Sequence, residues 1–298
     1  MAAIALVTVL FNSDSVLEGF FKSLSIQTFT DFHLYLVDNT PNPHTDDLLL
    51  QLSKTFNINN YTHIKNDSNV GIAKGNNQGV ELSLRENCLY TLLLNNDIEF
   101  YQADLLKDMY LHASKYNEAL IIPKILYYGT NKIWMAGGRL FKYSGKTIHI
   151  RDLEDDDPGH DKPSYFEYAP TCFMLIDNHL FRKIGMMDEN YFVYYDDTDF
   201  IYRAVIAGYK VYYMPNLQVM HKVSTSTGGG SSLFTIYYTN RNRIYFLRKN
   251  FKGIKKLLPL AVTLTTRVGK SFLYNRRQTE SMWKAVVRGF KMKIDSNG

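Results

Sequence analysis

The stretch IALVTVLF, Ile4–Phe11, runs directly into Asn12 and Asp14. An apolar, β-branched run of this length, closed by polar turn-formers, reads as a strand buried on both faces. No basic flank precedes it, so it reads as a strand rather than a secretory signal. Outward from it, Ser15–Gln27 carries apolar residues at helical spacing (Val16, Phe20, Leu24). Phe32–Val37 is a second strand, and Asp46–Phe56 a second helix through Leu48, Leu49 and Leu52. Tyr61–Lys65 is a short strand. A Gly/Asn-rich turn over Asn69–Asn77 then leads into a helix ending near Arg85, and Tyr90–Leu94 is the next strand. Strands alternating with helices predict an α/β fold with a mainly parallel sheet wound in βαβ units.

The middle of the chain is less regular. Leu153–Ser164, with Glu154 to Asp157, Pro158 and Gly159, has the composition of a solvated loop. Tyr168–Asp177 reads as a buried strand, Asp197–Ala207 as a helix with an acidic first turn stopped by Gly208, and Tyr209–Met214 as a strand. Thr225–Ser232, with Gly228 to Gly230, reads as a flexible loop. Helices dominate from Leu233. This organisation predicts a catalytic-sized α/β domain over residues 1–232 and a helical region over 233–298.

Of the 298 residues, 45% are hydrophobic, enough for a full core. The two cysteines, Cys88 and Cys172, stand far apart without metal-site spacing, which excludes a disulfide framework and a structural zinc and fits a reducing compartment. The longest C-terminal apolar run, Leu257–Leu264, contains Pro259 and is too short to span a bilayer. The net charge of +5 is unevenly spread. From Arg241 onward there are fifteen Lys/Arg against Glu280 and Asp295, or +13; the preceding residues, with nineteen basic and twenty-seven acidic, carry −8. A basic end on an acidic body implies an anionic partner surface. No nucleic-acid motif accompanies the charge.

Three strands end alike: Leu6–Leu10 in Phe11-Asn12, Leu34–Val37 in Asp38-Asn39-Thr40, and Leu92–Leu94 in Asn95-Asn96-Asp97. Asn and Asp start turns, which accounts for any one of these ends. Three together predict a ligand crevice at the carboxyl ends of a parallel sheet. The segment Asn69-Val70-Gly71-Ile72-Ala73-Lys74-Gly75-Asn76-Asn77 is not a Walker A loop. Its glycines, and Lys74 near a helix N-terminus, suit a diphosphate. Asp196-Asp197-Thr198-Asp199 opens a helix after the aromatic run Tyr191–Tyr195. Capping explains one or two of these carboxylates; a partly buried one beside aromatic rings suits a general base for a sugar hydroxyl. His221 matters if it converges with Asp97, since carboxylate, imidazole and phosphate oxygens can together hold Mn²⁺ or Mg²⁺.

Taken in order, these pieces resemble the inverting GT-A glycosyltransferases of family 2, especially the bacterial rhamnosyltransferase-like branch. The matching pieces are Val7–Asn12, Val37–Thr40, Asn69–Gly71 with Asn76-Asn77, Leu94–Asp97, Ala169–Leu175, Met187–Arg203, Gly208-Tyr209, Pro215, His221 and Tyr237–Arg248. The resemblance implies a Rossmann-like GT-A fold. It implies that Thr8, Phe11 and Asp38 hold the nucleotide base and ribose, with Asn69 and Lys74 near the donor. Asn95-Asn96-Asp97 takes the place of the family's DxD metal motif, with Asn95 where the first aspartate stands, which leaves Asp97 and His221 as metal ligands. Asp196 or Asp197 is the base, with Asp197 preferred; Asp199 and Arg203 are read as a structural ion pair. The implied reaction moves a sugar, best read as rhamnose from dTDP-rhamnose, onto a saccharide or polyprenyl-diphosphate-linked saccharide in cell-surface polysaccharide synthesis. A cytoplasmic protein, peripheral on the inner face of the membrane, follows. The basic helices suit either an anionic membrane surface or packing on the catalytic domain. A non-catalytic carbohydrate- or nucleotide-binding protein on the same fold is the rival reading, though Asp97, Asp197 and His221 are intact. A sugar nucleotidyltransferase is a second, although the Gly-rich basic loop of that class is absent from Leu10–Leu17.

Overall fold

The computed structural model describes residues 2–157, 162–223 and 231–294. Residues 225–230 of the glycine loop, and Pro158 and Gly159 of the acidic loop, lie outside them. In chain order the elements are β1 (Ile4–Leu10), α1 (Asp14–Ser25), β2 (Phe32–Asp38), α2 (Pro43–Thr55), β3 (Tyr61–Lys65), α3 (Ile72–Arg85) and β4 (Tyr90–Leu94). Then follow β5 (Ile98–Glu99), α4 (Leu105–Tyr116), β6 (Leu120–Tyr127), β7 (Ile133–Met135), β8 (Gly138–Phe141), β9 (Lys146–His149) and β10 (Ser164–Phe166). The rest comprises β11 (Phe173–Asp177), α5 (Asn178–Ile184), α6 (Asp196–Ile206), β12 (Val211–His221), α7 (Leu233–Asn250), α8 (Leu257–Ser271) and α9 (Arg276–Lys291).

The central sheet has the order β10-β12-β6-β11-β4-β1-β2-β3. β1 is parallel to β2 and β4, β2 to β3, and β12 to β6. β11 runs against both of its neighbours, β4 and β6. The carboxyl ends of β1, β2, β4, β6 and β12 therefore share one edge. The fold is the mixed, mainly parallel α/β class that the alternation predicts.

Local chemistry sets the boundaries. α2 starts at Pro43, earlier than its apolar repeat, because Asn42 accepts a bond from Thr45 N at 3.0 Å and Pro43 fits the first helical position. Tyr168–Asp177 is not one strand. Pro170 has no N–H to give a ladder, so β11 begins at Phe173. Tyr209–Met214 proves to be part of a longer strand. β12 absorbs Pro215 at a register shift between Met214 and Gln218 and continues to His221, which thus ends a strand rather than following a turn. The acidic loop is partly anchored, not merely solvated. Asp156 pairs at 2.6 Å with Lys124, a strand β6 lysine with no exposed side chain, and also accepts from Gln218.

The glycines of the Asn69–Asn77 segment have a packing use. α3 starts at Ile72, so Gly75 and Gly79 lie on one face of it. A Cβ at Gly75 would come within 2.8 Å of Val9, and one at Gly79 within 2.4 Å of Val7. The missing side chains let the helix rest directly on the central strand. Gly71, at φ +86°, lies against Phe192 O and takes a conformation costly for other residues.

α7 is fastened to the α/β body by charge. Asp199 on α6 is fully buried and takes Arg203 Nε at 2.9 Å, Lys249 Nζ at 2.9 Å and Asn250 Nδ2 at 2.7 Å. Lys249 also reaches Asp188 at 2.8 Å. The Asp199–Arg203 pair is structural in this sense. The expected outcome for Gly79→Ala is destabilisation by ~1–3 kcal/mol in urea unfolding, from overpacking against Val7. Adding Val7→Ala should recover part of it, and strict additivity of the two losses would show that the contact is not the cause.

Candidate active site

The strand ends gather the polar residues that the sequence singled out. Asn96 donates to Val9 O at 2.8 Å and to Ser13 Oγ at 2.9 Å, tying the end of β4 to the end of β1. Asn39 N donates to Leu10 O at 2.9 Å, and its side chain donates to Asn69 Oδ1 at 3.1 Å. Amide groups thus stitch β4, β1, β2 and the start of α3 into one rim. Asp38 is buried, its Oδ1 accepting from Thr40 N at 2.8 Å and its Oδ2 lying 3.2 Å from His63 Nε2. Thr8 Oγ1 is buried with no hydrogen-bond partner. Phe11 is half-buried, and its N donates to Ser13 Oγ at 2.8 Å. Asn95 is exposed, its N donating to Cys172 O at 2.8 Å. Lys74 is brought to no partner: it stands exposed on the first turn of α3.

Asp97 and His221 do converge. β12 pairs antiparallel with β5, setting His221 opposite Ile98 and placing Asp97 Oδ1 3.2 Å from His221 Nε2. Both side chains are nearly buried, and His221 Nδ1 has no hydrogen-bond partner. A carboxylate and an imidazole this close, with an orphaned ring nitrogen, fit an oxygen/nitrogen set for Mn²⁺ or Mg²⁺. Among the described residues no group of three His, Cys, Asp or Glu forms such a site, so phosphate oxygens and water have to complete it. A cleft of about 400 Å³, lined by Tyr128, Lys132, His221 and Lys222 among others, opens on the same imidazole.

Asp197, in the first turn of α6, is the other carboxylate that the sequence singled out. Its Oδ2 accepts from Tyr168 Oη at 2.8 Å and its Oδ1 from Thr198 N at 2.6 Å. Both Asp97 and Asp197 act electrostatically on the buried Cys172 thiol, which burial first, and then these two charges, raise well above the ordinary value. Trp134 bridges the two halves, its ring 4.7 Å from His221 and 4.3 Å from His149. Burial lowers the His149 pKa, and the Asp197 charge opposes it. His149, Trp134 and Tyr168 escaped the sequence reading. Tyr168 adjoins the Ala169–Leu175 stretch, and Trp134 is one of two tryptophans, but neither carries a motif.

Residues 5–182 match the profile of glycosyl transferase family 2, more than half of the chain. The chain belongs to that family. This family 2 chain is 28% identical over 192 residues to the low-salt glycan biosynthesis hexosyltransferase Agl10 of Haloferax volcanii, covering 63% of this chain and 60% of that protein. It thus spans about three fifths of that relative's length. It is 24% identical over 231 residues to the dTDP-rhamnosyl transferase RfbF of Shigella flexneri, covering 73% and 71%. Among solved structures it resembles GalNAc-T7 with UDP, GalNAc and Mn²⁺ at a TM-score of 0.65 and 14% identity, over 98% of this chain and 56% of that one. At such identity the likeness establishes the GT-A fold.

The carboxylates of this family 2 chain are set apart by their surroundings. Burial, reinforced by Asp197, pushes Asp196 up to about 8, and burial also raises Asp197. Asp196 and Asp197 open α6 directly after Tyr194 and Tyr195, whose φ angles of 62° and 70° are left-handed. Asn242 on α7 holds that turn, donating to Val193 O at 2.7 Å and Tyr194 O at 2.8 Å.

A pH-dependent stability follows. Burial keeps a proton on the folded pair at pH values where the unfolded chain has released it, so wild-type stability falls as pH rises from about 4 toward 8. Asp196→Asn removes most of that penalty. Its stability gain over wild type in urea unfolding should be larger at pH 8 than at pH 5, and a difference that shrinks with pH would place Asp196 outside the buried pair.

Proposed function

We propose that this chain is an inverting glycosyltransferase that moves a hexose from a nucleoside-diphosphate sugar to a saccharide or polyprenyl-diphosphate-linked saccharide. The observations that carry this reading are the Asp97–His221 pair at the carboxyl ends of the strands and the buried Asp197 carboxylate held by Tyr168 at the start of α6. Thr8, Phe11 and Asp38 line the nucleotide end, with Asn69, Asn95, Asn96 and Lys74 toward the donor. Asp97 and His221 would hold Mn²⁺ or Mg²⁺, which when bound would supply positive charge against the leaving diphosphate. The GalNAc-T7 neighbour, described with UDP and Mn²⁺, supports that cofactor. RfbF, named as a dTDP-rhamnosyl transferase, supports rhamnose from dTDP-rhamnose as the donor sugar.

Asp197 accepts the acceptor's hydroxyl proton as its oxygen attacks the anomeric carbon. The bond to the leaving diphosphate oxygen breaks on the opposite face, so one displacement inverts the centre with no enzyme nucleophile. Tyr168 and Thr198 N orient the Asp197 carboxylate. Its raised pKa makes it a stronger proton acceptor than an exposed aspartate. Asp196 belongs to the same buried pair, but Asp197 is the carboxylate oriented by the Tyr168 hydroxyl, which favours Asp197 as the base.

Two substitutions separate the roles. Asp97→Ala should abolish Mn²⁺-supported binding of a nucleoside diphosphate in calorimetry. Asp197→Asn should leave that binding within about twofold while lowering kcat by ~10²–10⁴-fold. A drop of less than tenfold in both Asp197→Asn and Asp196→Asn would falsify the base assignment.

The same reading gives the basic end a partner. α8 is packed inside out: it buries Pro259, Thr263 and Arg267 and turns Leu257, Leu258 and Val268 to solvent. Ile254 before it, and Phe272 and Leu273 after it, are 81%, 86% and 83% exposed. Ile254, Leu257, Leu258, Val268 and Phe272 share one helical face, beside Lys252, Lys255, Lys270, Arg276 and Arg277. Among the described residues no helix is long and apolar enough to cross a membrane. An interfacial helix on an anionic, cytoplasmic-side bilayer accounts for both the stripe and the charge. Leu258→Ser with Phe272→Ser should cut sedimentation with phosphatidylglycerol vesicles at least fivefold and leave nucleotide affinity unchanged. Undiminished sedimentation would remove the membrane assignment.

A further inference from the structure

The face that α8 buries ends in a cation without an anion. Arg267 is 4% exposed. Its Nε donates to Asn240 Oδ1 on α7 at 2.7 Å and its Nη1 to Thr266 Oγ1 at 2.9 Å, both neutral partners. Arg243, one helical turn beyond Asn240, is near enough for the two guanidiniums to repel. Arg243 Nε donates to Tyr195 Oη. Among the described residues neither arginine has an ion pair, whereas Arg203, also on a helix packed into the body, is matched by Asp199 at 2.9 Å. Burial and the Arg243 charge pull the Arg267 pKa down to about 10. A buried cation is expensive unless an anion compensates it, and a like-charged neighbour adds to the cost.

We infer that Arg243 and Arg267 form an oxyanion subsite that receives the phosphoryl group of a lipid-linked acceptor. Its place in the fold selects the acceptor over the donor. Tyr195, which accepts from Arg243, directly precedes Asp196 and Asp197, so the subsite is tied through one side chain to the segment that carries the base. α8 contributes Arg267 from one face and an apolar stripe from the other, so a prenyl chain leaving the phosphoryl group finds apolar surface on the same helix. Two guanidinium forks suit the several oxygens of a diphosphate better than point charges do. The subsite rests on the glycosyl-transfer reading for what the lipid carries, not for the anion it binds.

The test compares wild type, Arg267→Met, Arg243→Gln and the double variant by thermal unfolding and calorimetry. The probes are farnesyl diphosphate, inorganic pyrophosphate, and UDP with Mn²⁺. In the wild type, farnesyl diphosphate should raise the Tm and bind more tightly than pyrophosphate. Each single variant should weaken farnesyl diphosphate at least tenfold while UDP with Mn²⁺ stays within twofold. Without ligand, Arg267→Met should unfold at or above the wild-type temperature, since it removes an uncompensated buried charge. An equal loss of UDP affinity would assign the arginines to the donor and overturn the inference. So would retained farnesyl diphosphate binding in Arg243→Gln together with a lower unliganded Tm in Arg267→Met, the behaviour of a purely structural pair. Failure of wild type to bind any of UDP, GDP and dTDP with Mn²⁺ would instead count against the glycosyl-transfer reading, whatever the arginines do.

Discussion

One side-chain amide holds the catalytic geometry in place. Asn242 is fully buried and donates both of its amide hydrogens to consecutive carbonyls, Val193 and Tyr194. Two bulky tyrosines at positive φ are costly, by about 1–3 kcal/mol each, and persist only where the surroundings over-determine them. Asn242 supplies that constraint, aided by Tyr195 Oη donating to Gly145 O at 2.8 Å. The left-handed turn ends as α6 begins, so the orientation of Asp196 and Asp197 follows from it. The helix that carries Asn242 is itself fastened through Lys249 and Asn250 to Asp199, one turn along α6. α7 is therefore structurally continuous with the candidate site.

The site separates two electrostatic tasks with a wall of aromatic rings. Asp97 and His221 sit at the strand ends, where diphosphate charge has to be met. Asp196 and Asp197 sit at a helix start, where burial makes ionisation hard. Trp134 stands between His221 and His149, its ring edge-on to both. The two halves are not electrically isolated: His149 feels both Asp197 and His221, and Cys172 both Asp97 and Asp197.

Much of this was legible in the chain. Apolar runs located β1, β2 and β4, because a strand buried on both faces is rich in Val, Ile and Leu; the half-buried edge strand β3 carries no such run. The polar strand ends were legible for the same reason: a parallel sheet has one edge where they can gather. What sequence could not supply was contact across distance. The sequence ends a strand at Met214; only the register shift that absorbs Pro215 carries it on to His221, beside Asp97. The glycines of Asn69–Asn77 suggested a phosphate cradle, yet Gly75 answers to Val9, a partner more than sixty residues earlier, as Gly79 just beyond does to Val7. Lys124 and Asp156 gave no signal either, because a buried ion pair between strand and loop leaves no periodicity.

The reversed strand β11 has a consequence for how the chain comes to be folded. β3, β2, β1 and β4 and their helices are complete by Leu94, but the outer edge of β4 is covered only by Phe173–Asp177. During synthesis at ~5–20 residues per second, the apolar edge Leu92–Leu94 therefore waits several seconds for its partner. An unpaired, hydrophobic strand edge is the feature from which sheets join those of other molecules. Until Phe173–Asp177 emerge, the nascent half-sheet keeps that edge open, so slower translation between residues 95 and 177 lengthens its exposure.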